Sequence, residues 1–391
     1  MLKSLYEIKN ECCGCEACAN ACPQKIIIMQ EDSEGFVYPH LMYPEKCIGC
    51  NKCEKVCPIK NVCEVPDFSE KSYAGYSNEQ NEIKKSASGS LGTAIAKGII
   101  KQGGVVYGVK YTEDCSEVEY ERSTSTTELE SFRTSKYAQA RKRDVYKQIL
   151  KDLEAGMDVL FIGLPCDVYA VKLFLGKKYN NFFTCALICH GTTSILVHKQ
   201  YVQKLVNEEK SDIEKFSVRY KKEGWKPYYI RAVFKNGKEW LEKFSDSTYG
   251  IAFLYLKRPS CNTCKIKRAK NHADITIGDY HLASGGKFKP YNSDGVSSVV
   301  VHNQKGDYLL SIAENCLIEE VPIKNVLYSE AYYKAIPKRW NRKEFGKVLS
   351  TKGLESACAL KSVKVIDRQL ARKAWFRKQG AKVKKMILGK K

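Results

Sequence analysis

Eight cysteines in a duplicated pattern constrain this chain more than any other feature. Cys12, Cys15, Cys18 and Cys22 recur as Cys47, Cys50, Cys53 and Cys57, each displaced by 35 positions, and a proline (Pro23, Pro58) closes each copy. The spacing C-x-x-C-x-x-C-x-x-x-C-P sets three thiolates on one tight loop and leaves the fourth to come from elsewhere, as a [4Fe–4S] cubane requires. In a duplicated arrangement that fourth cysteine serves the opposite site. The ligand sets therefore read as Cys12, Cys15, Cys18 and Cys57 for one cluster, and Cys47, Cys50, Cys53 and Cys22 for the other. Zinc needs four ligands at looser spacing, and two complete copies argue against it. Cys13 and Cys63 fall outside the pattern and read as bystanders.

At 391 residues the chain is too long for a bare two-cluster ferredoxin and long enough for two or three domains. Its start, MLKSLYEIKNECCGC, shows neither an apolar core nor a cleavage site of the export type. No apolar run approaches the roughly 18 residues of a membrane span, so a cytoplasmic location is expected. In that reducing setting, clustered cysteines ligate metal rather than pair as disulfides. The formal charge of +21 raises the question of nucleic acid. Each oxidised cluster with its four thiolates carries about −2, however, and offsets part of it. No nucleic-acid module is visible either. The basic surface suits an acidic redox partner better, such as a ferredoxin or another oxidoreductase subunit. No nucleic acid is expected.

The duplicated region ends near residue 65. Between its halves, IIIMQ and FVYPH flank an acidic turn, EDSEG, as strands of a hairpin would. The polar run EVPDFSEKS reads as a link. From residue 73 strand-like and helix-like segments alternate: SYAGYS, SLGTAIAKGIIKQ, VVYGVKY, DVYKQILKDLEAG, VLFIGL, DVYAVKLFL, FFTCALI and SILVHKQYVQKLVNEE. That order predicts a mixed or parallel sheet covered by helices. Beyond residue 212, VRYKKEGWKPYYIRAVF and Asn236-Gly237 predict hairpins; ADITIGDY and SSVVVHN predict strands, and GDYLLSIAEN a helix. The expected organisation is α+β: a two-cluster ferredoxin-like domain (1–65), a larger mixed α/β domain (73–335), and a basic helical extension (336–391). The tail from Val365 mixes basic residues with Trp375, Phe376, Ile387 and Leu388. It reads as a solvated helix, with peripheral membrane contact as the alternative.

A second group of cysteines lies in the large domain. Cys166 follows the strand VLFIGLP, Cys189 follows FFTCALI within Cys189-His190-Gly191, and Cys261 and Cys264 form a C-x-x-C pair. Strand ends of an open sheet gather ligands at one edge, so these four are candidates for a third [4Fe–4S] cluster. Cys166 before a helix equally fits a low-pKa redox thiol. Cys185 reads as core, and Cys115, Cys316 and Cys358 as structural. Ser88, Gly89 and Ser90 open a helix, an arrangement that suits a phosphate. One-electron clusters need a converter to two-electron chemistry, and a flavin is the usual one.

Six segments in order carry a family resemblance: SASGSLGTAIAKGIIKQGGVVYGVKY, RTSKYAQA, VLFIGLPCDVYAVK, ICHGTTS, RPSCNTCKIKRAKNHADITIGDY and SSVVVHNQKGDYLL. Over roughly residues 73 to 330 the chain resembles the coenzyme F420 hydrogenase/dehydrogenase beta-subunit family. The resemblance implies FAD beside iron–sulfur clusters and a two-electron acceptor, either the deazaflavin coenzyme F420 or another small molecule. It implies flavin contacts at Ser88, Gly89 and Ser90, and at Ser135, Lys136 and Tyr137. Lys136 would face the phosphates or the ring; an ordinary surface lysine is the plainer alternative. It also supports Cys166, Cys189, Cys261 and Cys264 as the third site and sets Gly278-Asp279 at the flavin edge, although Asp279 equally suits capping the next turn. SASGSLGT departs from the paired glycines more usual there. His190 reads as the neighbour of a ligand, and no catalytic acid is named.

The leading expectation is an iron–sulfur flavoprotein oxidoreductase. It would pass electrons from the ferredoxin-type clusters to FAD and on to a small-molecule acceptor. The alternative is a non-catalytic electron-transfer subunit or redox scaffold serving a partner enzyme.

Overall fold

A computed structural model of the chain describes residues 10–63, 71–268 and 273–364. The basic tail and most of the EVPDFSEKS link lie outside those residues. At the N-terminus, β1 (Ile27–Glu31) and β2 (Val37–Leu41) form the expected hairpin, with Ile27 opposite Leu41. Asp32 closes its turn by accepting hydrogen bonds from the Glu34 and Phe36 amides, both at 3.0 Å. Two short helices, α1 (Ala17–Ala21) and α2 (Lys52–Lys55), follow the cysteine loops.

The large part is mixed α/β, as its alternating segments predict. Its strands in chain order are β3 (Lys71–Ser77), β4 (Val105–Tyr111), β5 (Val118–Ser123), β6 (Val159–Gly163) and β7 (Phe182–Leu187). After them come β8 (Ile213–Lys221), β9 (Tyr228–Phe234), β10 (Glu239–Lys243), β11 (Ile275–Asp279), β12 (Ser297–Val301) and β13 (Cys316–Glu320). An eight-stranded sheet has the order β13-β3-β12-β11-β7-β6-β4-β5. Its centre, β4-β6-β7-β11, is parallel, while β12, β13 and β5 join antiparallel. The parallel strands are covered on both faces, which is why VLFIG and FFTCAL are almost continuously apolar. Strands β8 to β10 form a separate antiparallel sheet, turned at Asn236-Gly237 with Gly237 at φ +84°.

Helices α3 (Leu91–Lys101), α4 (Val145–Glu154), α5 (Pro165–Leu175), α6 (Ile195–Glu209), α7 (Thr248–Tyr255) and α8 (Gln304–Ser311) connect these strands. In α4 the buried residues Val145, Tyr146, Ile149 and Leu153 recur at helical spacing, and Gly156 at φ +79° ends the segment. Two more helices, α9 (Arg342–Lys352) and α10 (Leu354–Cys358), close the described chain.

The N-terminal hairpin and these last helices share one core. Phe36 and Tyr38 belong to the same buried cluster as Val197, Tyr201 and Phe345, and Phe345 stacks on Tyr255 at 5.9 Å. Outside the core, Arg342 holds Glu34 at 2.7 Å. The cysteine-rich unit is therefore packed into the body of the protein.

His198 on α6 is fully buried in this core, stacked on Tyr111 at 5.3 Å and paired with the Cys115 carbonyl at 2.8 Å. Burial lowers its pKa to about 4. Because the neutral ring is favoured in the fold, the unfolded chain binds the extra proton as pH falls below about 6.5, and stability drops from there toward pH 4. Between about pH 7 and pH 5 the loss from this group is on the order of 2 kcal/mol. Denaturant unfolding of His198→Gln at both pH values should show a correspondingly flatter dependence than the wild type.

Candidate functional site

The structure groups the N-terminal thiols in the crossed arrangement. Cys12, Cys15, Cys18 and Cys57 surround one small cavity, walled by Met29, Pro39 and Ile59. Cys22, Cys47, Cys50 and Cys53 surround a second, walled by Ile26, Ile27 and Ile48. Among the described residues no three His, Cys, Asp or Glu side chains converge on a single-ion site; the thiols stand around these openings instead. The two sites differ in depth. Cys15 and Cys18 are buried, whereas Cys47 and Cys50 are exposed.

The inner loop is gripped by the large domain through its carbonyls. Arg258 donates to Cys12 O at 2.6 Å, Gln139 to Cys13 O at 2.7 Å, and Tyr146 to Cys15 O at 2.7 Å. Arg258 is 1% exposed; it also donates to Gln139 Oε1 and to Val37 O, and lies 4.3 Å from the Tyr38 ring centre. The duplication supplies a control. Gly14 and Gly49 are equivalent, both at φ +67°. A Cβ on Gly14 would meet Gln139 Nε2 at 2.5 Å and Arg258 at 2.7 Å, while one on Gly49 would meet nothing within 4 Å.

The third cysteine set also comes together. Cys166, Cys189, Cys261 and Cys264 line one cavity. They are carried there by the start of α5, the loop after β7 and the turn that follows Arg258. Gly191 N donates to Cys189 Sγ at 3.2 Å. Cys13 lines this cavity as well, so it is not the bystander its position outside the motif implies. A hydrogen bond with Cys13, together with burial, pushes the Cys166 thiol well above its ordinary range, opposite to a low-pKa redox thiol. Burial raises Cys189, Cys261 and Cys264 too. Beside them Lys257 is 5% exposed, and its Nζ has no hydrogen-bond partner. Burial pushes that ammonium well below the usual lysine range, while facing Cys261 and Cys189 pull it back. Its Nζ lies over the Phe253 ring, and a buried cation without a carboxylate or hydrogen-bond partner beside four thiols fits an anionic cluster held there. Lys267 donates to the Cys189 carbonyl on the same side.

Next to this set, at the carboxyl ends of β6, β7 and β11, lies a cavity of ≈ 290 Å³. Clefts in this position and size class are the usual small-molecule sites of open sheets. Of the residues expected at a flavin, Ser88, Ser90, Ser135, Lys136, Tyr137 and Asp279 line it. Gly89 does not. Its amide donates to Ser297 Oγ at 3.0 Å, and a Cβ there would run into the Gly75 carbonyl; its role is close backbone packing. Lys136 lines the wall but donates to Ser131 O and Arg133 O at 2.8 and 2.6 Å, so its ammonium is turned onto backbone carbonyls. Burial lowers its pKa to about 7. Asp279 makes a 2.9 Å ion pair with Arg219.

Several wall residues were not visible as motifs. Arg219 donates to Ala87 O at 2.9 Å, and Lys221 to Ser88 O at 2.8 Å, so β8 clamps the serine turn. Their spacing of two on one strand face was the available signal. Arg219 and Arg133 each keep a buried Nε–H without a partner. Ser90 makes no side-chain cap to α3, an 11-residue helix, and Leu91, Gly92 and Thr93 of its first turn line the cavity. Together these suit anionic oxygens. His190 and His281 also line the cavity, 6.5 Å apart, and burial lowers the first to about 4. Cys189, Gly191 and Thr192 of the loop after β7, and Leu164 between β6 and α5, line both this cavity and the cysteine cavity.

Two family models match the chain. Residues 156–326 match the one described as the C terminus of the beta subunit of coenzyme F420 hydrogenase/dehydrogenase, and residues 11–61 match 4Fe-4S dicluster domain. The serine turn and Ser135-Lys136-Tyr137 lie outside both. Among solved structures, the F420-reducing [NiFe] hydrogenase complex from Methanosarcina barkeri (a xenon derivative) is similar at 17% identity. That match covers 73% of this chain and 94% of the other at a TM-score of 0.46. No curated protein matches. Among the described residues no helix is long and apolar enough to cross a membrane.

The glycine pair makes the docking testable. Gly14→Ala and Gly49→Ala share a left-handed backbone cost of about 1 kcal/mol. Gly14→Ala should lose a further ~1–3 kcal/mol from the collision with Gln139 and Arg258, read as a lower unfolding midpoint than that of Gly49→Ala.

Proposed function

This chain carries the C-terminal domain of the coenzyme F420 hydrogenase/dehydrogenase beta subunit behind a 4Fe-4S dicluster domain, and on that premise we propose that it is an iron–sulfur flavoprotein oxidoreductase. Its three cysteine sets would hold [4Fe–4S] clusters that carry single electrons, and its large cavity an FAD that exchanges them in pairs with a small acceptor, coenzyme F420 or another.

The observation that carries this reading is the shared wall. Cys189, Gly191 and Thr192 belong to the third cysteine set on one side and to the large cavity on the other. Lys257 supplies the buried positive charge that four thiolates call for. Arg219, Arg133 and the first turn of α3 bind and orient anionic oxygens, and Lys221 holds the serine turn in place. Asp279 keeps the Arg219 guanidinium fixed at the cavity wall. Burial tends to raise its own carboxyl, but Arg219 and His281 outweigh that and hold it below the usual range. Tyr137 closes one side, stacked on Phe253 at 4.3 Å.

At the opposite end, the exposed Cys47 and Cys50 mark the entry. Met42, Tyr43 and Ile48 are exposed around them, among Lys46, Lys52 and Lys55. A basic rim with an apolar centre suits an acidic redox partner, a ferredoxin or another oxidoreductase subunit.

Anaerobically reconstituted protein should bind about twelve irons and one flavin per chain. About eight irons and no flavin would overturn the reading. A reconstituted chain with three clusters and flavin that reduces no small acceptor would favour the electron-transfer subunit instead. Cys57→Ser should remove the inner N-terminal cluster and spare the outer one, as followed by electron paramagnetic resonance.

A further inference from the structure

The chain between Glu330 and Glu344 covers the third cysteine set and lies outside both family matches. Ile336 N donates to Cys261 O at 3.2 Å, Asn262 donates back to Ile336 O at 2.9 Å, and Ile336 lines the cysteine cavity. Farther on, the Arg339 guanidinium lies 5.8 Å from the Tyr255 ring centre, and Arg342 donates to Lys257 O at 2.8 Å. Tyr255 and Lys257 come just before Cys261, so the segment runs back along the chain that presents those cysteines. The third set is close under the surface here: Cys261 and Cys264 are half-buried, and Thr263 between them is exposed.

The outer face of this segment is aromatic and basic. Trp340 is 71% exposed, more than any other large apolar side chain among the described residues, and Tyr333 is 40% exposed. A tryptophan left in water contributes little burial to the fold, and tryptophan is among the side chains most enriched where protein partners anchor. Between Glu330 and Glu344 the chain carries Lys334, Lys338, Arg339, Arg342 and Lys343 and no carboxylate. Glu330 pairs with Lys334 and Glu34 with Arg342. That leaves Lys338, Arg339 and Lys343 around Trp340 with no ion pair among the described residues. An aromatic anchor within unpaired cations is complementary to an acidic protein surface.

We infer that residues 333–343 are a docking surface for an acidic one-electron carrier protein, separate from the rim around Cys47 and Cys50, where the third cluster exchanges electrons directly. The inference rests on the three-cluster reading. One electron passes between the carrier's redox group and the cluster, and no bond forms or breaks. The N-terminal clusters are then one of two routes to the large cavity, and the third cluster is the junction.

The test uses the full reconstituted chain with an acidic plant-type ferredoxin as the probe. Zero-length cross-linking of probe carboxylates should capture Lys338 and Lys343 as well as lysines of the outer rim. In Cys50→Ser, which removes the outer cluster, the reduced probe should still reduce the third cluster, and raising the salt from about 0.05 to about 0.5 M should slow that step. Adding Trp340→Ala should weaken the probe's apparent affinity in the same step at least about tenfold, with reduction by dithionite unchanged. Cross-links confined to Lys46, Lys52 and Lys55, no reduction of the third cluster in Cys50→Ser, or an unchanged affinity in Trp340→Ala would each overturn the docking surface. So would binding of phosphatidylserine vesicles through Trp340, or a dimer of the chain that Trp340→Ala dissociates, with no probe cross-link at this face. A wild-type chain with only about eight irons would instead overturn the three-cluster reading itself.

Discussion

The buried guanidinium of Arg258 ties together what the rest of the molecule needs held in register. Its donors reach the Cys12 carbonyl, the Val37 carbonyl and Gln139, and its plane lies over Tyr38. A charge this deep is costly unless its hydrogen bonds are made, and each charge-assisted bond contributes ~1.5–3 kcal/mol. Undocking the N-terminal unit would unpair the donors on Cys12 and Val37, so the two parts are held in one geometry. Arg258 also sits three residues before Cys261. The same side chain that fixes the first cysteine loop thereby fixes the turn that presents the third set.

Electrostatics then explain part of the basic composition. The formal +21 is not only a surface property. Lys257 and Lys267 lie against the third cysteine set, and Arg133, Arg219 and Lys221 line or brace the large cavity. Lys257 has no hydrogen-bond partner, and Arg133 and Arg219 each leave one N–H unmatched within the protein. Arg219 and Arg133 are each paired with carboxylates as well, and the open N–H groups beside them suit anionic oxygens.

Much of this was legible locally. The hairpin IIIMQ–FVYPH, the buried strands VLFIG and FFTCAL and the amphipathic α4 follow from period and turn chemistry. The grouping of the thiols around two openings follows from spacing, because three cysteines of each set lie on one loop. Other features were not legible, for physical reasons. Gly89 looked like part of an anion loop, but its contact is with Gly75 and Ser297 on neighbouring strands, a packing constraint with no local signature. Lys136 looked like a free cation, but nearby carbonyls satisfy it. Arg219 and Lys221 sit in a strand read only as half of a hairpin, and their partners in the Ser86–Ser90 turn are more than 120 residues away in the chain. Cys13 was discounted because motif spacing describes one loop at a time.

The sequence by itself determined how many thiols there are, their repeat and their grouping, because cluster ligation is settled by short loops. Only the tertiary structure decided what each copy of that repeat does. Gly14 and Gly49 share a conformation, and Cys13 and Ile48 share a position, yet one of each pair is packed against the large domain and the other faces solvent. That asymmetry comes from Arg258, Gln139 and Tyr146, which reach the first copy from more than a hundred residues away. No repeat can encode which of its halves will be met.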